Sequence, residues 1–204
     1  MDRIELYLLR HGEVDFPKGV FYGQMDIPLS QKGKKQSRLA AARLNEIGVD
    51  SVLTSDLSRC LYMAREIRSV SNQKIRKEPR LREIDFGLWQ GLSWEEIEMA
   101  WPGQMEQRMA NLSSFRPPNG ESLSDLWQRS KAVFHDCLKG VYGQKVAIIA
   151  HGGINRVFMC NLLGMDLQNL FCLHQDHACI NRVDSYRDGP RVLRFVNCTC
   201  HLGE

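Results

Sequence analysis

The chain has 204 residues, 43% of them hydrophobic and 25% charged, which is the composition of an ordinary globular protein. Its 27 lysines and arginines against 24 aspartates and glutamates give a net charge of +3, too small to indicate nucleic-acid binding. No apolar run approaches the roughly 20 residues of a membrane span, and the charged first residues do not resemble a signal peptide. We therefore expect a cytoplasmic protein with no nucleic-acid or membrane partner.

The first part of the chain pairs apolar runs with helix signals. Residues 4–9 are nearly continuously apolar, a pattern typical of a strand that helices cover on both faces. Ser30 and Gly48 then bracket a stretch with apolar residues at helical spacing, as a cap and a stop signal do. A second, shorter strand is predicted over 51–54.

The middle of the chain predicts shorter elements. Ser55 or Asp56 is expected to cap the helix that follows the second strand. Residues 81–87 have too few apolar residues at helical spacing for a helix, so a loop or a short edge piece is predicted there. Ser93 begins a capping box. Residues 101–120 mix helical fragments with prolines and glycines, which indicates an insertion or a lid.

The last part of the chain contains the strongest helix signal and three more strands. Ser122 with Asp125 starts a helix with one broad apolar face. A second buried-strand run covers 145–150, and a helix pattern follows it. Residues 178–183 and 192–196 are predicted to be two strands joined by a turn.

This alternation of strands and helices predicts the fold class. Apolar strands without a wet face belong to sheets that have helices on both sides. We expect a three-layer α/β/α sandwich with a mainly parallel central sheet, formed as a single domain by residues 1–204. A variable cap or insert is expected around 92–120.

Both long buried strands run directly into a histidine. His11 follows the first strand with Arg10 beside it, and His151 follows the strand over 145–150. Ligands of such sheets bind beyond the carboxyl ends of the strands. The sequence therefore predicts that the two histidines meet at one site.

These residue types suit phosphoryl transfer. A neutral imidazole is a good nucleophile near pH 7, so His11 is the candidate nucleophile. The planar guanidinium of Arg10 can neutralise phosphate oxygens. Arg59 is predicted in the first turn of a helix, where its side chain and the free N–H groups can face the same anion. His151 can donate a further hydrogen bond.

The cysteines and late histidines raise a competing hypothesis of a zinc site. Cys172, His174, His177 and Cys179 are zinc-type ligands, and Cys198, Cys200 and His201 follow near the end. Their spacing matches none of the usual zinc patterns, which makes this reading the weaker one. The seven cysteines are odd in number, so reduced thiols are expected rather than a disulfide framework.

Taken together, five segments in order resemble the histidine phosphatase superfamily, the phosphoglycerate-mutase-like proteins. The first is an Arg-His-Gly motif and the last carries the second histidine, so the resemblance covers nearly the whole chain. The segments are 9–13, 26–36, 54–60, 81–91 and 150–153.

The resemblance implies a role for each residue of the site. His11 would attack phosphorus, and Glu83 would protonate the leaving oxygen and then activate water. No metal or other cofactor is implied. The residues implied to bind the phosphoryl group or line the pocket are Arg10, Arg59, His151, Gly152, Tyr22 and Gln24.

The resemblance also indicates the kind of reaction. Fewer than about 40 residues separate Glu83 from Ser122, so the long insertion of cofactor-dependent mutases is absent and a phosphatase of small-molecule phosphate esters is favoured. Residues 121–122 and 175–181 resemble the α-ribazole-5′-phosphate phosphatases of cobalamin synthesis. The alternatives are a phosphoglycerate mutase and a non-catalytic phosphate-binding protein. A homodimer is compatible with either enzyme.

Overall fold

A six-stranded sheet forms the centre of the structure, a computed structural model that describes residues 3–67, 75–140 and 142–203. In chain order the strands are β1 (Arg3–Arg10), β2 (Ser51–Thr54), β3 (Ile75–Lys77), β4 (Lys145–Ala150), β5 (Ile180–Tyr186) and β6 (Arg191–Cys198). In space the order is β3-β2-β4-β1-β5-β6. The first four strands pair in parallel and the last two pair antiparallel, which confirms the predicted mainly parallel sheet.

Helices cover both faces of this sheet. In chain order the α-helices of the described residues are α1 (Gln31–Ile47), α2 (Ser58–Glu66), α3 (Trp94–Ala100), α4 (Gln104–Ala110), α5 (Leu123–Leu138) and α6 (Gly152–Leu163), of which α3 and α4 pack away from the sheet. The first two pack on one face of the sheet, and α5 and α6 pack on the other. The three-layer α/β/α architecture is therefore confirmed. Among the described residues, no helix is both long enough and apolar enough to cross a membrane.

Strand β1 is continuously apolar because both of its faces are buried. Leu6 and Leu8 belong to the core that α5 and α6 cover, whereas Tyr7 and Leu9 belong to the core that α1 and α2 cover. Burying a leucine side chain contributes about 1.5–3 kcal/mol. The two cores therefore fix β1 from both sides, and with it the loop that begins at His11.

Most predicted helix boundaries agree with the structure. The Ser30 hydroxyl accepts a hydrogen bond from Gly33 N at the start of α1, and Gly48 ends that helix in the left-handed region at φ 70°. Ser93 and Ser122 each form a complete capping box. In each case the side chain satisfies backbone groups that a helix end leaves free.

The predicted cap of α2 was wrong. Leu57 occupies the cap position, and the carboxylate of Asp26 accepts the Ser58 N–H at 2.7 Å. Asp56 instead forms an ion pair with Arg82, with two hydrogen bonds of 2.7 and 2.6 Å. The cap thus comes from a residue 32 positions away, which no local pattern reports.

The segment expected to be a cap or insert contains two short helices, α3 and α4. Their residues Ile97 and Met105 form a small apolar cluster with Trp89, and partly buried aromatic rings pack around it. Of the loop predicted over 81–87, residues 82–86 are non-helical, whereas Leu81 ends one short 3₁₀ turn and Gly87 begins another. The region therefore has a core of its own beside the carboxyl-terminal end of the sheet.

Strand register brings the two histidine-bearing loops together. Arg10 pairs with Ala150 across β1 and β4, and the ladder continues with His11 N donating to Ala150 O at 3.1 Å. On the other side of β4, Ser55 N donates to Ile149 O at 2.9 Å. The chain therefore leaves three adjacent parallel strands at the same end of the sheet.

Candidate active site

His11 is buried at this end of the sheet and is oriented by its own loop. Its Nδ1 lies 2.7 Å from the carbonyl oxygen of Gly12, which can only accept a hydrogen bond. Nδ1 therefore carries the proton, and the lone pair is on Nε2. Burial, with the nearby His151 and Arg59, holds the pKa of His11 well below its usual range. The ring is thus neutral at physiological pH.

Arg59 is fully buried beside the two histidines. Its Nη groups donate to Gly23 O at 2.7 Å and to Met25 O at 2.6 Å, and its Nε donates to His151 Nδ1 at 3.3 Å. A guanidinium has five N–H donors, so donors remain for a bound anion. In the part of the chain that the structure describes, no carboxylate forms an ion pair with Arg59. Its charge is therefore available to a ligand.

The imidazole ring of His151 lies next to that of His11. The His11 and His151 rings lie 5.1 Å apart, centroid to centroid. Because Arg59 donates to Nδ1, the hydrogen of His151 is on Nε2, which lies 2.9 Å from Ser55 Oγ. Burial and the arginine hold the pKa of His151 well below its usual range. A ligand oxygen bound to His151 Nε2 would compete with Ser55 for this hydrogen.

Arg10 reaches the same place from β1. Its Nη1 donates to Gln175 O at 2.6 Å, and its Nη2 donates to His177 Nε2 at 2.9 Å. Its Nε is buried and has no hydrogen-bond partner among the described residues. A buried donor without a partner costs about 1–3 kcal/mol. Arg10 therefore offers an N–H that a phosphoryl oxygen would satisfy.

Glu83 lies against the N-terminus of α6. Its Oε2 accepts the Gly153 N–H at 2.9 Å and its Oε1 accepts the Ile84 N–H at 3.0 Å. Because Gly153 is two residues from His151, this contact ties the carboxyl group to the histidine loop. The structure therefore brings Glu83 to the same helix end as the second histidine.

The remaining predicted pocket residues have different positions. The Tyr22 ring lies 6.5 Å from the His11 ring and 5.2 Å below the Arg59 guanidinium. Gly152 begins α6 beside Arg10, whose Nε would be 3.4 Å from a Cβ at that position. Gln24 donates from Nε2 to Glu83 O at 3.1 Å, so its amide supports the backbone at Glu83.

Sequence reasoning missed three residues that the fold adds. Ser55 contacts His151, as described above. His177, considered as a zinc ligand and as part of the 175–181 segment but not as a site residue, has its ring 5.8 Å from that of His11. Arg156 on α6 would have its Nη1 3.1 Å from a Cβ on Gly152, and it donates to Leu173 O at 2.7 Å. Arg156 lies four residues after Gly152, one helical turn further along α6, and this spacing was a usable signal.

The structure separates the alternative zinc ligands. His174 pairs with Asp176 on the surface, whereas His177 binds Arg10. Within the described ranges, no three histidines, cysteines or carboxylates are grouped closely enough to hold a metal ion. All seven cysteines, which lie in those ranges, are free thiols.

A substitution at Gly153 tests the position of Glu83. A Cβ there would lie 2.4 Å from Glu83 Oε1, so Gly153→Ala is expected to displace the carboxyl group. Alanine also favours a helix by roughly 0.8–1 kcal/mol over glycine. With the acid role that the resemblance implies for Glu83, we expect kcat/KM to fall about 10- to 100-fold, since an acid catalyst contributes roughly 10²–10⁴. Thermal stability should be unchanged or higher. A lower melting temperature that accompanies the lower kcat/KM would contradict this placement of Glu83.

His177 predicts a pH dependence of stability. Burial and Arg10 lower the pKa of His177 from 6.5 to about 3 in the folded protein. The unfolded chain binds this proton first, so stability is full above pH 6.5 and falls as the pH drops toward 3. When the pH is lowered from 7.5 to 5.5, the unfolding free energy of both proteins falls. The fall is expected to be about 1 kcal/mol smaller for His177→Asn than for the native protein. Urea denaturation at both pH values measures the difference, and identical losses would contradict it.

Comparison with known proteins decides the family. Residues 6–198 match the histidine phosphatase superfamily, branch 1. The chain belongs to the histidine phosphatase superfamily. As a member with phosphatase-named relatives, this histidine phosphatase is a hydrolase that acts on phosphate esters.

Individual relatives align along almost the whole length of this histidine phosphatase. Phosphoserine phosphatase 1 of Hydrogenobacter thermophilus is 33% identical, with 98% of this chain and 95% of the relative covered. A protein named "Probable phosphoglycerate mutase" from Yersinia enterocolitica is 30% identical, with coverage of 98% and 95%. The solved α-ribazole phosphatase of Shigella flexneri superimposes with a TM-score of 0.84 over 96% of each chain at 23% identity, which shows the shared fold.

Proposed function

We propose that this histidine phosphatase hydrolyses small-molecule phosphomonoesters by way of a phosphohistidine at His11. The observation that carries the proposal is the orientation of the His11 ring. Its Nδ1–H donates to Gly12 O, which leaves the lone pair on Nε2 for attack. A lowered pKa keeps that lone pair unprotonated. A neutral, fixed imidazole is the form of histidine that attacks phosphorus.

The proposed reaction has two steps. In the first, His11 Nε2 forms a bond to phosphorus as the bond to the leaving oxygen breaks, and the carboxylic acid of Glu83 gives that oxygen its proton. In the second, the Glu83 carboxylate takes a proton from water while the water oxygen attacks phosphorus and the N–P bond breaks. Inorganic phosphate leaves, and both residues return to their starting forms.

Positive charge for the transferring phosphoryl group comes from arginines in this proposal. Arg59 is buried without an ion-pair partner among the described residues, and Arg10 has an unused Nε–H. Fixed donors in a site of low dielectric are worth far more than the same groups in water. We therefore expect the activity to persist in the presence of a chelator.

Two phosphate esters are the first candidates for the natural substrate. The relative with 33% identity is named a phosphoserine phosphatase, which supports L-phosphoserine. α-Ribazole-5′-phosphate, with a role in cobalamin synthesis, is the candidate that the sequence segments suggested. The likeness to the solved α-ribazole phosphatase supports the fold rather than this substrate. The seven free thiols suit a reducing compartment, so we place the reaction in the cytoplasm.

A phosphoglycerate mutase is the second candidate function. It is favoured by the relative named as a mutase at 30% identity. Such an enzyme would need 2,3-bisphosphoglycerate to phosphorylate His11 and would release a phosphoglycerate instead of inorganic phosphate.

The test is hydrolysis of p-nitrophenyl phosphate in the presence of EDTA, followed by a substrate panel. The panel contains L-phosphoserine, α-ribazole-5′-phosphate and 3-phosphoglycerate, the last with and without 2,3-bisphosphoglycerate. Release of phosphate supports the phosphatase, and conversion of 3-phosphoglycerate to its 2-isomer supports the mutase. An inactive protein that still binds phosphate would favour the non-catalytic alternative.

A further inference from the structure

Arg129 of α5 reaches across to the loop that carries Glu83. Its Nη1 donates to Arg80 O at 2.6 Å, and its Nη2 donates to Arg82 O at 2.9 Å and to Glu83 O at 2.8 Å. One guanidinium thus binds three backbone carbonyls of the acid segment, residues 80–85. The Arg129 side chain is 21% exposed, so most of it is removed from water.

Glu121 holds the same guanidinium and the other end of the acid segment. Arg129 Nε donates to Glu121 Oε1 at 2.7 Å, and Nη2 lies 3.0 Å from Oε2. Glu121 Oε2 also accepts the Asp85 N–H at 3.0 Å, and the Glu121 N–H donates to Asp85 O at 2.8 Å. Arg129 and Glu121 together therefore form hydrogen bonds to the backbone on both sides of Glu83.

The acid segment needs such support because residues 82–86 form neither helix nor strand. A proton donor that is misplaced by about 1 Å loses much of its catalytic effect. Other contacts hold the side chains of Glu83 and Arg82, and Gln24 also donates to Glu83 O. Among the described residues, however, only Arg129 joins the carbonyls at 80, 82 and 83. We propose that Arg129, held by Glu121, is the positioning residue that fixes Glu83 for proton transfer. This inference rests on the proposed function, in which Glu83 is the proton donor.

Lysine is not expected to replace Arg129. The planar guanidinium directs its N–H groups to the carbonyls and to the carboxylate at once. A lysine ammonium has three donors around one nitrogen and cannot span the same acceptors. Arg129→Lys therefore keeps the charge while releasing part of the acid segment, which makes it a conservative probe.

A leaving-group series separates positioning of the acid from general damage. Four aryl phosphates of similar shape serve as probes: 2,4-dinitrophenyl, 4-nitrophenyl, phenyl and 4-methoxyphenyl phosphate. An acidic phenol leaves without a proton, whereas phenol itself needs one. Loss of the acid catalyst therefore lowers kcat/KM for phenyl phosphate and spares 2,4-dinitrophenyl phosphate. Arg129→Met, Arg129→Lys and Glu121→Gln are compared with Glu83→Gln.

We expect Arg129→Met to lower kcat/KM about 10- to 100-fold for phenyl phosphate, part of the roughly 10²–10⁴ that an acid catalyst contributes. The loss for 2,4-dinitrophenyl phosphate should be within a factor of about 3, and Arg129→Lys and Glu121→Gln should lie between native and Arg129→Met. Arg116→Met is the matched control, because Arg116 pairs with Asp125 of α5 and is 64% exposed. It should leave the whole series unchanged.

The outcomes distinguish the inference from the proposed function. Equal losses across the series in the folded Arg129 and Glu121 variants, with a leaving-group dependence in Glu83→Gln, would overturn the inference alone. A Glu83→Gln series without leaving-group dependence would instead overturn Glu83 as the proton donor. If Arg129→Met does not fold, the Arg129→Lys and Glu121→Gln series decide.

Discussion

Replacing His11 with alanine is expected to lower kcat/KM for p-nitrophenyl phosphate by about 10³-fold or more, as loss of a nucleophile does in other covalent enzymes. The physical reason is that Nδ1 donates to Gly12 O, so Nε2 carries the lone pair that attacks phosphorus in the proposed reaction. Binding of inorganic phosphate should persist, because Arg10 and Arg59 remain. Steady-state kinetics and phosphate titration measure the two effects.

His135→Ala is the matched control for His11→Ala. His135 is an exposed histidine of α5 whose ring packs edge-on against Trp127. Its loss should leave kcat/KM unchanged. Full activity in the folded His11 variant would remove His11 as the nucleophile and with it the proposed two-step reaction.

The second large effect is expected at Arg59. Arg59→Met should lower kcat/KM by about 10²–10³, the range seen when a fixed donor to developing negative charge is removed. It should also raise the inhibition constant of inorganic phosphate, because the buried charge that attracts the anion is gone. Kinetics at several phosphate concentrations give both numbers.

Stability is a separate readout for this variant. The buried carbonyl of Gly23 loses its partner, at about 1–3 kcal/mol, whereas the carbonyl of Met25 still accepts the Ile27 N–H. Relief of an unpaired buried charge offsets part of that cost. Arg65→Met on the exposed side of the same helix is the control. If a folded Arg59→Met variant bound and hydrolysed the ester normally, Arg59 would have no role in holding the phosphoryl group.

The parts of the fold that follow local patterns were predictable. The strands β1 and β4 were predictable because a strand with apolar residues on both faces appears in the sequence as a continuous apolar run. The helices that begin after Ser30, Ser93 and Ser122 were predictable from the local spacing of their capping residues. These signals placed two histidines at one end of a parallel sheet. Glu83, by contrast, has no local pattern that marks it, so its role came from family resemblance.

Contacts that join distant segments could not be predicted. Asp26 caps α2 across 32 residues, and His177 reaches Arg10 only because the chain returns after α6. Arg129 acts on backbone carbonyls, which carry no residue identity and so leave no trace in a sequence pattern. The contacts of these three residues escaped prediction for the same reason, because each contact depends on tertiary packing rather than on periodicity or capping.

Trapping the covalent intermediate tests whether His11 is the nucleophile. The native protein is mixed with a ³²P-labelled phosphomonoester, quenched in alkali within one turnover, and digested for mass spectrometry. A phosphohistidine at His11, stable in alkali and lost in acid, is the predicted result. Label on a different residue, or turnover without any labelled protein in a quench that preserves phosphohistidine, would contradict it.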